Sequence, residues 1–299
     1  MQIVEQRPRL ALTKTSKEAD ILIDQLNSRL LKIGELLFGR DITKLTEEDR
    51  NKIIALIYLY IQKSYFLGQE YNERVFDEET LVALNDIEKT KELTRDFILL
   101  FFQTFLSFKI QEDFIDDYEF YDELDDLDFD LLDSDDLDID DLDYLPFDEL
   151  NDLDLDYETI LNFDPEKDVT RDNAFQYTIS ITGPRGFSKE FVVSEQQMER
   201  LLDLHVRAVK LEASINMGSA DLVTRSLNNG VISNSSDQVQ FVTRRDDRVC
   251  PICEDLDGEV FDIDPITRII DGPTIPDDTH HNCRCRYLSL DDDGELLIG

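Results

Sequence analysis

The chain has no tryptophan and only four cysteines in 299 residues, all within the last 50. A disulfide framework running through the whole chain is therefore excluded. Long apolar runs are also missing. The longest, residues 97–108, has 12 residues, whereas a membrane-spanning helix needs about 20. The first 20 residues contain no apolar core of a signal peptide. These absences predict a soluble, non-secreted protein with no membrane partner.

Basic residues are scarce and unevenly placed: 30 Lys and Arg face 68 Asp and Glu, a net charge of −38. Residues 1–110 carry a net charge of only −2, whereas residues 111–170 carry 27 acids and a single base, Lys167. A halophilic surface would be acidic throughout, so this distribution argues against that explanation. The charge belongs to one segment.

Residues 1–110 have the pattern of a helical bundle. Thr15 and Glu18 have the spacing of a capping box and predict a helix start near Thr15. Thr46, followed by three acids, predicts a second start, and residues 52–68 are apolar on most faces, as in a buried helix. A third helix is expected from about Asp77 to residue 108.

Residues 111–170 form an acidic low-complexity segment in which an apolar residue recurs every five positions. A pentapeptide β-helix is disfavoured, because it would bury a column of unpaired aspartates. No calcium-binding EF-hand loop is present either. The segment is predicted to be a solvated spacer or to dock on a basic protein surface. The recurring residues are Leu127, Leu132, Leu137, Leu142 and Phe147.

Residues 171–299 alternate strand and helix signals. A hairpin is predicted over residues 175–194, followed by a long helix that Ser194 caps and that ends at residues 228–230. His205 is expected at the edge of the core. Strands are predicted over residues 238–244 and 259–261. The class is thus α+β: an N-terminal helical bundle, an acidic insertion, and a long helix with a small β-rich, cysteine-containing subdomain. The predicted apolar stripe of the long helix is Met198, Leu202, Val206, Val209, Ala213 and Met217.

The cysteines have the spacing of a metal site. Cys250 and Cys253 form a C-x2-C pair, and His280 with Cys283 forms an H-x2-C pair, so together they supply a tetrahedral set of three sulfurs and one nitrogen. Cys285 and His281 are alternatives to His280 as the fourth ligand. A structural zinc ion is the expected cofactor, because no open coordination position is implied. Disulfides and free thiols stay open as alternatives.

No catalytic motif is present: the chain has no G-x-S-x-G, no P-loop and no H-E-x-x-H. We therefore expect a protein that is not an enzyme. Residues 244–248 concentrate three arginines, which suit either a phosphate backbone or the neighbouring acids. One interpretation is a zinc-ribbon-like protein that binds nucleic acid or a regulator, with the acidic segment as a DNA mimic. The net negative charge of residues 171–299 disfavours it.

The cysteine region resembles the C-terminal signature of the phage head-morphogenesis family, the Mu F-like minor head proteins. "VTRRDDRVCPICEDLDGEVF" and "HHNCRCRYL" follow the family pattern in order. His281 stands where the family usually has proline, and the upstream helix lacks the family's Arg-Thr-Glu element. The matching residues are Asp246 or Asp247, Cys250, Cys253, Leu256, Asp257, Gly258, Phe261, His280, Asn282, Cys283, Arg284 and Cys285.

The resemblance implies a structural virion protein of a tailed phage, made in the host cytoplasm and carried in the capsid interior or at the portal vertex. The implied partners are the portal protein, the major capsid protein and packaged double-stranded DNA. The implied roles are head morphogenesis, DNA packaging or genome ejection. The acidic segment is not part of the signature and is interpreted as an insertion between residues 1–110 and residues 171–299.

Overall fold

The computed structural model describes residues 6–38, 46–73, 157–171, 176–182, 188–233, 235, 237–244 and 249–290. The α+β class is confirmed. The predicted third helix and residues 111–156 of the acidic segment lie outside these ranges, and the predicted domain boundaries stay a prediction. The described helices are α1 (Gln6–Leu37), α2 (Glu47–Glu73), α3 (Tyr157–Leu161), α4 (Glu195–Ser233) and α5 (Pro251–Leu256). The described strands are β1 (Val169–Arg171), β2 (Gln176–Thr182), β3 (Ser188–Ser194), β4 (Gln238–Val242), β5 (Val260–Asp262) and β6 (Arg286–Ser289).

The strands form two small antiparallel sheets. One has the order β1-β2-β3, and its β2-β3 hairpin is the one that the sequence predicted. The other has the order β5-β4-β6, in which β4 pairs with β5 on one side and with β6 on the other. The strands predicted at 238–244 and 259–261 are therefore confirmed, and β6 is added to them.

Helices α1 and α2 pack on α4 and on each other. The start of α2 is confirmed, because the Thr46 hydroxyl accepts a hydrogen bond from the Asp49 backbone N–H at 3.1 Å. Residues 53–61 of α2 are all buried, as their apolar sequence predicts. The predicted start of α1 near Thr15 is wrong, since α1 begins at Gln6. Thr15 and Glu18 lie inside a continuous helix, so their capping-box spacing does not mark a helix start.

Helix α4 begins as predicted, with a capping box. The Ser194 Oγ accepts a hydrogen bond from the Gln197 N–H at 3.3 Å, and the Gln197 Oε1 accepts one from the Ser194 N–H at 3.0 Å. The predicted apolar stripe is confirmed at Met198, which is buried, and at Leu202, which is partly buried against the core. It is wrong from Val206 onward, because Val206, Val209 and Met217 are exposed. The buried stripe is shifted by a few positions. It consists of Met198, Leu201, Leu204, Ala208, Leu211 and Ile215.

The predicted end of α4 at residues 228–230 is also wrong, because the helix continues to Ser233. Gly230 is buried inside it for a packing reason. A Cβ on Gly230 would lie 2.0 Å from the Tyr65 carbonyl oxygen, and a Cβ on Gly68 would lie 2.0 Å from that of Leu227. The glycines thus allow the backbones of α2 and α4 to touch. Arg268 then closes the helix end by donating to the Ile232 carbonyl at 2.6 Å.

His205 lies at the edge of the core, as predicted. Its Nδ1 is 2.9 Å from the Ile160 carbonyl oxygen, and its ring makes an edge contact with Phe163. These contacts attach α3 to α4, so the C-terminal end of the predicted acidic segment is folded onto the rest of the molecule. Among the residues that the structure describes, no helix is both long enough and apolar enough to cross a membrane.

Candidate metal centre

The first cysteine pair is placed by the short helix α5. Cys250 is its N-cap residue, with an extended backbone, and its sulfur accepts a hydrogen bond from the Cys253 N–H at 3.4 Å. Pro251 occupies the first turn, where a missing N–H costs nothing. The cap brings the two sulfurs to the same side of one helical turn. Cys253 is fully buried, whereas Cys250 is half-buried.

The second pair is placed by the loop that leads into β6. The Cys283 N–H donates to the His280 carbonyl at 3.1 Å, and Asn282 adopts a left-handed backbone with φ of 60°. This tight turn reverses the chain directly before Cys283. Cys283 and Cys285 are two residues apart directly before β6, both are buried, and their sulfurs lie within 4.8 Å of each other.

All five predicted ligands come together. The ligand atoms of Cys250, Cys253 and His280 lie within 4.8 Å of one another, and so do those of Cys253, Cys283 and Cys285. Cys253 belongs to both groups and links them. All four cysteines are free thiols in this structure, and their arrangement is one that can hold a metal ion.

The sulfur spacing fits tetrahedral coordination. The Sγ atoms of Cys253 and Cys283 are 3.7 Å apart. Two sulfurs bound to zinc at about 2.3 Å with a tetrahedral angle would lie about 3.8 Å apart. The spacing is far longer than the S–S bond of a disulfide, which is about 2.05 Å. The pair therefore needs little movement to bind one ion.

The thiols do not share protons equally. A hydrogen bond from the Cys285 thiol is the main cause that lowers the pKa of Cys283 to about 5, against the effect of burial. Burial, followed by the charge on Cys283, raises the pKa of Cys253 to about 12. The pKa of Cys285 is raised as well, mainly because its thiol donates that hydrogen bond. At neutral pH Cys283 is thus a thiolate, while Cys253 and Cys285 keep their protons. A metal ion must displace the proton of each of these two thiols that it binds.

The two neighbouring histidines have different surroundings. His280 belongs to the first ligand group, and its Nδ1 is 2.8 Å from the His281 carbonyl oxygen. His281 is mostly exposed, and its Nδ1 is 2.7 Å from the Asp221 carboxylate on α4. The same carboxylate accepts the Asn282 N–H at 2.7 Å. Asp221 therefore anchors the turn before Cys283 and holds His281 by one ring nitrogen.

A cleft of about 790 Å³ opens beside the cluster, between α1, α4 and the loop at residues 280–284. His280 lines the cleft, so the histidine end of the cluster faces it. Arg244 also lines it and forms a bidentate ion pair with Asp20 of α1, at 3.0 and 2.7 Å. The first arginine of the predicted basic loop is thus paired, and residues 245–248 lie outside the described ranges.

Asn228 supports the second cysteine pair, a role that sequence reasoning missed. It is 2% exposed; its Nδ2 donates to the Cys285 carbonyl at 3.3 Å, and its Oδ1 accepts the Tyr287 N–H at 3.0 Å. A single amide of α4 thereby satisfies two backbone groups that β6 leaves unpaired on that side. The sequence did contain a signal for this role. Asparagine is unfavourable inside a helix, so an asparagine at a buried helical position is expected to have a hydrogen-bond partner.

The turn after α5 supports the first pair in a similar way. The Asp257 carboxylate accepts hydrogen bonds from the Thr243 N–H at 2.8 Å and from its hydroxyl at 3.1 Å. Gly258 has a φ of +93°, which glycine adopts without strain. Phe261 then makes an edge contact with the Tyr287 ring. Residues on both sides of α5 thus fix it against the sheet β5-β4-β6.

The fold and the cluster together define an α+β protein whose C-terminal cysteines form a site that can hold a metal ion. No family model matches the chain, and no curated protein or solved structure matches it. The resemblance to the Mu F-like signature therefore stays a prediction.

Proposed function

We propose that the chain is a minor head protein of a tailed phage and that its cysteine cluster binds one structural zinc ion. The observation that carries the proposal is the meeting of the two halves of the signature, residues 250–261 and 280–285. They are separated in sequence, yet their cysteines lie within ligand distance of one another. A chance likeness of two short motifs would not require them to share one site.

The non-cysteine residues of the signature also have roles that explain their identity. Asp257 binds the end of β4, Gly258 has a positive φ, and Asn282 has the left-handed backbone that asparagine tolerates best after glycine. Phe261 packs on Tyr287. Asp246 and Asp247 lie outside the described residues. The signature residues thus determine the local fold around the cysteines as well as the candidate ligands. This supports a structural role for the metal centre.

Zinc is the metal that this donor set favours. Thiolates and imidazole at tetrahedral spacing suit zinc, whereas magnesium and calcium require oxygen ligands. The ligand set would consist of Cys250, Cys253 and Cys283, with either His280 or Cys285 as the fourth ligand. The zinc would connect α5 to the start of β6.

The partners we propose follow from the resemblance: the portal protein, the major capsid protein and packaged double-stranded DNA. The protein would then lie in the capsid interior or at the portal vertex, after assembly in the host cytoplasm. The acidic segment 111–170 would dock on a basic surface of one of these partners, in keeping with its 27 acids and single base. Deletion of residues 112–156, which spares α3, should then lower incorporation into particles.

Quantitative mass spectrometry of purified particles tests the proposal, with the portal and major capsid proteins measured alongside. We expect a few to a few dozen copies in each particle. Absence from both mature particles and assembly intermediates would contradict a head protein. In that case salt-dependent binding to nucleic acid would be measured, as expected for a zinc-ribbon-like regulator.

A further inference from the structure

Arg286, the first residue of β6, is a buried cation without a carboxylate partner among the described residues. Its side chain is 2% exposed. Its Nη1 donates to the Cys285 carbonyl at 3.0 Å, while its Nε and Nη2 have no hydrogen-bond partner. Nε and Nη2 form one edge of the guanidinium, the edge that usually binds an anion with two parallel hydrogen bonds.

A charged guanidinium removed from water is strongly unfavourable unless an anion lies close to it. Asp20 is within electrostatic reach of Arg286, but both of its oxygens accept hydrogen bonds from Arg244. Arg244 itself repels Arg286. The carboxylate therefore serves the other arginine, and Arg286 needs a different source of negative charge.

The metal–thiolate form of the cysteine cluster supplies that charge. The hydrogen bond from Arg286 Nη1 to the Cys285 carbonyl, at 3.0 Å, fixes the guanidinium beside the second cysteine pair. A zinc ion with three thiolates and one imidazole carries a net charge of −1, and one with four thiolates carries −2. Burying such a centre is unfavourable in turn, so the two opposite charges stabilise each other.

We infer that Arg286 is the counter-cation of the metal–thiolate centre and sets its affinity for zinc without binding the metal itself. The inference rests on the metal centre proposed above, and it holds whichever residue is the fourth ligand. Arg286 acts as a positioning residue, because it acts through the sulfurs. The Nε–Nη2 edge of its guanidinium is buried and has no hydrogen-bond partner among the described residues, so its positive charge is not neutralised by a direct ion pair.

The test compares zinc affinity in the full-length protein and in Arg286→Met, which keeps most of the side-chain volume and removes the charge. Zinc dissociation constants are measured by competition with a chromophoric chelator. We expect Arg286→Met to bind zinc about tenfold to a hundredfold more weakly. Arg225→Met is the matched control, because Arg225 pairs with Asp277 at the surface. It should stay within about threefold of wild type.

Cobalt(II) gives a readout that a merely structural role would not move. In Arg286→Met the intensity of the d–d bands should stay that of a tetrahedral site, because the ligands are unchanged. The sulfur-to-cobalt charge-transfer bands should move to lower energy, because the thiolate electrons lose the stabilising field of the cation. Wild-type zinc affinity together with unshifted charge-transfer bands would overturn the inference.

Arg286→Lys keeps the charge and should restore most of the affinity. If Arg286→Met does not fold, this variant decides: a dissociation constant within about threefold of wild type supports the counter-cation, and a tenfold loss overturns it. A wild-type protein that binds neither zinc nor cobalt would instead remove the metal centre itself. The two failures are therefore distinguishable.

Discussion

The last turns of α4 contact two neighbours, and the two contacts differ in chemistry. Toward α2 the contact is made by backbone and apolar groups, with Gly230 against Tyr65 and Gly68 against Leu227. Toward β6 the contact is polar, because Asn228 binds the backbone of Cys285 and Tyr287. Only Asn229 lies between Asn228 and Gly230 in α4, so one short stretch of helix makes both kinds of contact.

This difference between the apolar contact with α2 and the polar contact with β6 indicates which side of α4 would be stabilised by a bound ligand. The α2–α4 contact joins buried apolar side chains of both helices. The sheet β5-β4-β6 instead joins a cluster of buried thiols to a buried guanidinium. Burying these thiols and this guanidinium without partners costs free energy, and a bound metal ion would offset that cost. We therefore expect metal binding to stabilise the sheet side of α4 more than the α2 side.

Gly230→Ala should give the largest effect on stability. The new methyl group would overlap the Tyr65 carbonyl, which is backbone and cannot turn away. We expect a loss of about 3 kcal/mol or more in the free energy of unfolding, measured by urea denaturation. Ala213→Ser, on the exposed face of α4, is the control and should change stability by less than about 0.5 kcal/mol. A wild-type unfolding curve for Gly230→Ala would contradict the close helix contact.

Zinc affinity should increase steeply with pH. The raised pKa values of Cys253 and Cys285 mean that both thiols carry protons at neutral pH. Zinc must displace the proton of Cys253, and also that of Cys285 if Cys285 is the fourth ligand. Because protons compete with the metal, the apparent association constant should rise by at least about one power of ten for each pH unit between pH 6 and 8. Below pH 5 the Cys283 thiolate is protonated as well, and binding weakens further. Chelator competition at several pH values measures this, and a flat profile would contradict the assigned protonation states.

Asn228→Ala should damage the sheet side of α4 alone. It removes one donor and one acceptor, which leaves the Tyr287 N–H unpaired and the Cys285 carbonyl with only the hydrogen bond from Arg286. We expect a loss of about 1–3 kcal/mol in unfolding free energy. Asn229→Ala, the same change at the neighbouring half-buried position, should cost less than half as much. Equal losses for the two variants would contradict the link to β6 as the cause; helix propensity cannot explain a loss, because alanine favours helix more than asparagine does.

His281→Ala should have the smallest effect. Its ring is mostly exposed and bonds to Asp221 outside the cluster, and exposed ion pairs contribute about 0–1 kcal/mol. The zinc content should be unchanged. His280→Ala is the comparison, since His280 belongs to a ligand group. Loss of zinc in His281→Ala but not in His280→Ala would reverse the assignment of the two histidines.

Features that depend on a few adjacent residues, such as helix caps and turns, were predicted correctly from the sequence. The caps at Thr46 and Ser194, the hairpin β2-β3 and the turn at Asp257–Gly258 were all predicted correctly, because each depends on a few adjacent residues. The five candidate ligands were also found from their spacing, and the structure brings all of them into the two linked groups.

Features that depend on a distant partner were not predictable in the same way. Two apolar stripes with similar spacing run along α4, and packing with α1, α2, α3 and the strands decides which one is buried. Gly230 has the sequence signal of a helix end, yet it lies inside the helix because the α2 backbone occupies the place of a side chain. Arg286 gave no signal at all, since a lone arginine after a cysteine is ordinarily exposed.

Elemental analysis of the purified full-length protein tests the central claim most directly, because the claim is that the cysteine cluster is a metal centre. The account predicts one zinc per chain in the wild type and none in Cys253→Ser, because Cys253 belongs to both ligand groups. Asn229→Ala is the folded control and should keep its zinc. A wild-type protein that is folded, free of metal, and has four thiols open to alkylation would contradict the account.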